Sequence, residues 1–413
     1  MNIIKFERHS FSFLFFLFFA FVISSCGGSG DDTTTSTAQT GQFVDGPVSG
    51  LRYSTTSGTS GVTDASGRFS YSSGDTVFFS VGGVTVGSAN GEVFVTPVDL
   101  VSGGTAISTE VTNIVRFLMM LDSDANPNNG LSISANVQAT AAGWTDINFN
   151  TVILDSDPNV AVIVNDVSVA DSRTAALPNE TTARDHLTTN LQCAFGAGYR
   201  GTWRSVVTPE TGNWALLVDP FNGTIYGGAW DNSATPDAAG GFLLIDGQLD
   251  TSQVDIFIAS GTAGGFADYQ GTMTPNGAVS GTWMDTVAPL DNGTFSGNRV
   301  VLNLPAGTPG TVYQGVSIGN DGNASSFIFT VNNGNVIGNG LSFADNSTFT
   351  ISGTVISSAL SATATNTASG IVSDVLGTLN PNGTITGTYI DRPATGGTGS
   401  GSFNACADFL VGI

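Results

Sequence analysis

The C-terminal half of the sequence is written twice, and that repetition constrains the fold more than any local propensity. Tyr199-Arg-Gly-Thr-Trp203 returns as Tyr313-Gln-Gly-Val-Ser317, and Phe221-Asn-Gly-Thr-Ile-Tyr-Gly227 as Asn332-Asn-Gly-Asn-Val-Ile-Gly338. GTMTPNGAVSGTWMD, residues 271–285, returns as GTLNPNGTITGTYID, residues 377–391. The matches keep their order while the offset between copies shrinks along the chain, as short loop deletions would make it do. Each copy holds about eight strand-like runs separated by Gly, Asn-Gly and Asp-Gly turns, the spacing of antiparallel meanders. Asn222-Gly223, Asn276-Gly277, Asn292-Gly293, Asn333-Gly334 and Asn382-Gly383 read as hairpins, because a type I′ turn needs positive φ at both central positions. The expected fold is mainly β. Repeat one (197–300) and repeat two (301–413) form a duplicated antiparallel eight-strand meander, either as tandem β-barrels or sandwiches or as one closed sheet; closure matters because open edges invite pairing with other chains.

The N-terminus carries an address. Lys5 and Arg8 precede an apolar run over residues 11–23, too short to span a bilayer comfortably and suited to the core of an export signal. Ile23-Ser24-Ser25-Cys26 follows, and it resembles the lipobox of bacterial lipoproteins. That resemblance implies a signal peptide over 1–25, acylation of Cys26 as the new N-terminus, and attachment to the membrane through the acyl chains. Each buried CH₂ contributes about 0.8 kcal/mol, so three chains anchor a water-soluble body with no transmembrane helix. Gly27 stands where an inner-membrane lipoprotein carries Asp, which implies the outer membrane of a Gram-negative bacterium, on its periplasmic or exposed face. Residues 26–40, rich in Gly, Ser, Thr and Asp, read as a flexible tether.

Charge narrows the chemistry. Lys5 is the only lysine, which excludes a Walker phosphate loop, a kinase and a Schiff-base enzyme. A net charge of -22, from 11 Lys+Arg against 33 Asp+Glu, repels phosphate backbones, so no nucleic-acid partner is expected.

Over residues 41–98 short alternating runs are broken by glycines. VDGPVSGLRY followed by TDASGRFSY resembles the carboxypeptidase-regulatory-like, prealbumin-type sandwich, in which Asp64-Ala65-Ser66-Gly67 is a hairpin turn. Members of that family generally present other domains and carry no catalytic groups, which implies a small β-sandwich here. Residues 99–196 read as an α-rich connector. Val111, Ile114, Val115, Leu118 and Leu121 share one face of a helix over 109–121 capped at Ser108. Ala183, Leu187, Leu191 and Ala194 form a second stripe after Asn179, Val137, Ala141 and Trp144 suggest a short helix, and residues 158–167 fit either period. The run from VTNIVRFLMMLDSDANPNNG to ARDHLTTNLQCAFGAGYRGTW resembles uncharacterised lipoproteins of Gram-negative bacteria and implies an architecture without an activity.

Candidate site residues are few. Once Cys26 is acylated, Cys193 and Cys406 remain, and an oxidising compartment favours a disulfide between them. Ser317 sits in a G-x-S-x-G pattern, but no helix follows to make a nucleophile elbow, and His186, the one histidine past residue 9, reads as a solvated helix residue. No catalytic residue is assigned. No cofactor is expected, with calcium the one ion raised: Asp122, Asp124, Asn126 and Asn128 alternate as in an EF-hand loop, but Pro127 replaces the loop glycine and Ile133 the bidentate Glu. Trp203, Trp214, Trp230 and Trp283 all lie in repeat one, which places a ligand surface there for a glycan, a small apolar ligand or a surface protein, with repeat two as scaffold. The sequence therefore reads as a non-catalytic, outer-membrane-anchored binding or structural lipoprotein. The alternatives are a hydrolase with a divergent site and, from GTFSG at 293–297, a barrel resembling lipocalins or transferrin-binding lipoproteins.

Overall fold

The computed structural model describes residues 38–231, 242–252, 257–263, 267–286, 290–305, 308–320, 322–343 and 345–407. The signal peptide, Cys26 and all but the last residues of the tether lie outside them. No helix among the described residues is long and apolar enough to cross a membrane.

The first module is built from β1 (Gln39–Phe43), β2 (Val48–Ser49), β3 (Arg52–Thr55), β4 (Ser60–Val62), β5 (Arg68–Tyr71), β6 (Thr76–Val81), β7 (Val84–Asn90) and β8 (Phe94–Val95). They form two sheets, β5-β1-β8 and β4-β3-β6-β7. Phe43, Phe69 and Phe79 fill the space between, with Phe43 and Phe69 each edge-on to Phe79 at 4.9 and 5.3 Å between centroids. The Asp64–Gly67 turn closes with Gly67 at φ +73°, while Asp64 Oδ1 accepts from the amides of Ser66 and Arg68.

The connector holds α1 (Thr109–Leu121), β9 (Leu131–Ser132), α2 (Ala135–Ala141), α3 (Pro158–Ala170) and α4 (Glu180–Phe195). The ambiguous stretch is helical because Asp157 caps it, its carboxylate accepting from Asn159 N, and Pro158 sets the first turn. Asn179 caps α4 through Thr182 N. Ser108 precedes α1 but bonds back to Thr105 instead of capping with its side chain. Arg116, nearly buried, ties α1 to the loops through Pro178 O and Asp155.

Repeat one supplies β10 (Gly198–Ser205), β11 (Thr211–Val218), β12 (Thr224–Asp231), β13 (Phe242–Asp250), β14 (Phe257–Ala263), β15 (Ala267–Met273), β16 (Ala278–Asp285) and β17 (Asn292–Arg299). Repeat two supplies β18 (Thr311–Gly319), β19 (Ala324–Asn332), β20 (Asn335–Ser342), β21 (Thr348–Ile356), β22 (Ala359–Asn366), β23 (Val372–Leu379), β24 (Thr384–Asp391) and β25 (Ser400–Ala407). Each repeat closes on itself, β10 pairing with β17 and β18 with β25, so of the two arrangements compatible with the repeat the chain adopts tandem barrels. Asn333 and Gly334, at φ +49° and +79°, make the two-residue hairpin expected between β19 and β20. Asn292-Gly293 is not a hairpin. It lies inside β17, where Gly293 is needed because a Cβ would collide with Arg204 O and the Trp283 indole.

The barrels touch side by side. Arg200 lies over the Phe343 ring at 4.7 Å, and Asn404 Nδ2 donates to both carboxylate oxygens of Asp219 at 3.2 and 3.0 Å. A Cys193–Cys406 disulfide ties the last turns of α4 to β25.

Candidate functional site

Strand alternation sets the inner wall: on β21, Phe349 and Ile351 line the interior while Thr350 and Ser352 face away. The strands are also rich in glycine, and the inner wall shows why. Aromatic rings lie flat on it, each over glycines of neighbouring strands where a side chain would collide: Trp214 over Gly201 and Gly297, Phe295 over Gly271 and Gly281, Phe403 over Gly377 and Gly387. Both barrels keep an open interior.

Barrel one encloses a cavity of about 380 Å³. Trp203, Trp214, Trp283, Tyr269 and Phe295 wall it, and Glu210, Asp285 and Asp291 stand where the β10–β11 and β16–β17 loops open it. Trp203 Nε1 donates to Trp230 O and Trp214 Nε1 to Thr202 O, whereas Trp283 Nε1 is buried with no partner among the described residues. The Tyr269 hydroxyl donates to Asp246 O at 3.0 Å, and burial, then the Asp246 charge, pushes its ionisation above the usual range. Trp230 is absent from this wall. It follows Ala229, which points inward, so it stands on the opposite face, and the expectation of four tryptophans on one surface is corrected to three.

Barrel two, without a tryptophan, is hollow as well. It encloses a cavity of about 420 Å³ walled by Phe327, Phe349, Ile351, Leu360 and Phe403. At the floor the Tyr313 ring stacks on Phe329 and Phe329 on Phe327, which meets Phe403 edge-on at 5.7 Å between centroids. The polar groups gather where the β18–β19, β20–β21, β22–β23 and β24–β25 loops form a mouth: Asn323, Asp345, Asn366, Ser373 and Asp391. Asp391 accepts from Ser373 Oγ at 2.6 Å and Gly399 N at 3.0 Å. Asp345 accepts from the hydroxyl and amide of Ser347, whose hydroxyl bond leads in holding its carboxyl below the usual carboxylate range. Repeat two contains no tryptophan to mark its cavity. The usable signal was the alternation of glycine with Phe327, Phe349 and Phe403 on inward positions.

A third space of about 600 Å³ lies between α4 and the floor of barrel two, bordered by the disulfide, Asn128 and His186. His186 is not solvated. Its side chain is 8% exposed, with Nε2 2.9 Å from Asp45 O and 3.4 Å from Asp45 Oδ1. Asp45 is fully buried, its carboxylate oxygens accept no hydrogen bond among the described residues, and burial raises its pKa to about 6 against the opposing charge of His186. Ser317 lines the barrel-two cavity instead, paired in the sheet with Ser325 and Phe403, so the structure does not bring Ser317 and His186 together.

The calcium reading of Asp122, Asp124, Asn126 and Asn128 is corrected to a hydrogen-bonded turn. Asp122 accepts from Asn126 N and Ser132 N, and Asp124 from Asn126 N and Asn129 Nδ2. Asn126 gives its backbone amide to both acids, and Asn128 faces the third space. Burial lifts the Asp122 pKa to about 6 despite those amides. Among the described residues no three His, Cys, Asp or Glu side chains gather to hold a metal.

No family model and no curated protein matches the chain. Among solved structures it is similar to a redesigned β-barrel, mFAP1, bound to DFHBI, with 19% identity over 24% of this chain and 92% of that one and a TM-score of 0.20. It is also similar to a DUF3598-family protein of unknown function from Nostoc punctiforme, with 11% identity over 52% of this chain and 98% of that one and a TM-score of 0.16. A third is the isotype 1 transferrin binding protein B from serogroup B Neisseria meningitidis, with 10% identity over 48% of this chain and 66% of that one and a TM-score of 0.19.

Proposed function

We propose that the chain is an acylated lipoprotein, held through Cys26 at the outer membrane of a Gram-negative cell, whose two barrels each take a small, largely apolar ligand. The observation that carries the reading is the pair of aromatic-walled cavities, about 380 and 420 Å³, each within the range of small-molecule sites. An apolar ligand suits these walls better than a glycan, whose hydroxyls would find few partners below the mouth. Tryptophan emission during a screen of glycans and apolar molecules tests barrel one, since a ligand against Trp203 or Trp283 changes their surroundings. A screen in which only glycans shift the emission, or nothing does, overturns the apolar reading. Anchoring is tested separately: Cys26→Ser removes the acyl acceptor and should release the protein from the membrane fraction, while persistent detergent-phase partitioning counts against it.

The carboxylates at the mouths, Glu210, Asp285 and Asp291 in barrel one and Asp345 and Asp391 in barrel two, favour one rival, a hydrolase of the two-carboxylate type. Such a site needs one carboxyl that stays protonated near neutral pH as the acid. Asp345 is held below the usual range and is ionised there, so it cannot be that acid. Turnover of a fluorogenic glycoside, lost in Asp391→Asn, would support the rival instead.

A further inference from the structure

We propose that barrel two selects a cationic amphiphile, an organic amine or quaternary ammonium whose apolar body lies among Phe327, Phe349 and Phe403 and whose charged head lies at Asp345 and Asp391. The inference deepens the cavity reading and rests on it.

Three observations carry it. The cavity is polarised along its axis, with apolar side chains and the ring column below and the polar groups at the loop end. Its ligand is therefore amphipathic, with one buried end and one end at the mouth. The mouth also carries uncompensated charge. Among the described residues the donors given for Asp345 and Asp391 are neutral, the Ser342, Ser347, Ser373 and Gly399 groups, and no Arg, Lys or His lines the cavity. Arg392, the first residue past β24, does not line the cavity and is engaged with Asp374, Nη2 to Oδ1 at 2.6 Å. Finally, the groups beside the carboxylates suit a cation: Tyr389 borders the mouth with Asp391 two residues on, and an aromatic face attracts ammonium groups. An anionic head would meet two carboxylates and no donor cation. A neutral head would leave their charge unanswered.

The test measures displacement of neutral Nile red from the full chain by decylammonium, decanol and decanoate. Ala364→Phe, which fills cavity two, isolates the contribution of that barrel. Decylammonium should bind barrel two at least about tenfold more tightly than decanol, with decanoate weakest. In Asp345→Asn/Asp391→Asn the preference should vanish while decanol binding persists. On the natural chain the preference should shrink as salt rises, a readout that needs no variant to fold. Equal binding of decylammonium and decanol, or a preference unchanged in the double variant, overturns the charge selection and leaves the cavity reading standing. Failure of all three probes to displace the dye from barrel two overturns both.

Discussion

Trp203 and Trp283 meet edge to face inside barrel one, their ring centroids 5.7 Å apart and their planes at 86°. They reach each other across β17 and narrow the cavity they line. The repeat aligns Trp203 with Ser317 and Trp283 with Tyr389, so barrel two keeps one aromatic partner and lacks the other. The same strand framework thereby carries two cavities of different lining.

Ser317→Trp should therefore rebuild the pair against Tyr389 in barrel two. An edge-to-face contact is worth about 1 kcal/mol, so the variant should be at least as stable as the natural chain in urea. It should also lose apolar-probe binding to barrel two by roughly tenfold, and its new indole should report that binding by emission. Unchanged affinity would show that the cavity does not extend to Ser317.

Phe403→Ala should cost about 3–5 kcal/mol in urea unfolding. The ring lies over Gly377 and Gly387 and against Phe327, so its removal uncovers both glycines and an aromatic contact is lost. Polar Thr388→Ala, on the exposed outer face of the same barrel, should change stability by less than about 0.5 kcal/mol.

Reduction of the Cys193–Cys406 bridge should lower the melting temperature. It closes a separation of 213 residues, for which loop entropy alone gives roughly 5 kcal/mol. Mass spectrometry of a non-reduced digest should find the joined peptide, and Cys193→Ser/Cys406→Ser should melt like the reduced protein.

Asp45 should make the chain less stable as pH rises through the acid range. Its pKa is raised to about 6 in the folded state, so between about 4 and 6 the native protein binds more protons than the unfolded chain, and stability falls with pH across that window. Asp122, also raised to about 6, acts in the same direction. Asp75 acts oppositely. Burial works against its charge, but hydrogen bonds from Ser72, Ser57 and Thr56 prevail and hold it at about 2, so its contribution is present above about 4 and is lost as pH falls toward 2. Asp45→Asn removes one term: the melting temperature of the variant minus that of the natural chain should climb from pH 4 to pH 6 and then level off. A flat difference would place the Asp45 carboxyl in contact with solvent.

The sequence made the barrels legible because the repeat, the hairpin glycines and the strand periodicity all pointed the same way. Helices α1 and α4 were legible from their stripes and α4 from its Asn179 cap. The site was harder. Tryptophan count drew attention to barrel one, but a cavity comes from what is missing opposite a ring, and Gly377 and Gly387 become informative only once Phe403 is seen to lie over them. His186 misled for a similar reason: its neighbour Asp185 is exposed, while its actual partner, Asp45, lies far away in sequence. Asn292-Gly293 has the composition of a turn, and tertiary packing against Trp283 placed it in a strand.

The most direct measurement is the number of apolar-probe sites per chain, obtained by titrating Nile red into the full-length protein at fixed ionic strength. Two saturable sites are expected. Ala364→Phe should remove the one in barrel two, Ala229→Trp the one in barrel one, and the double variant both. Absence of saturable binding, or a site count that neither filling substitution alters, would contradict the assignment of the barrel interiors as the binding sites.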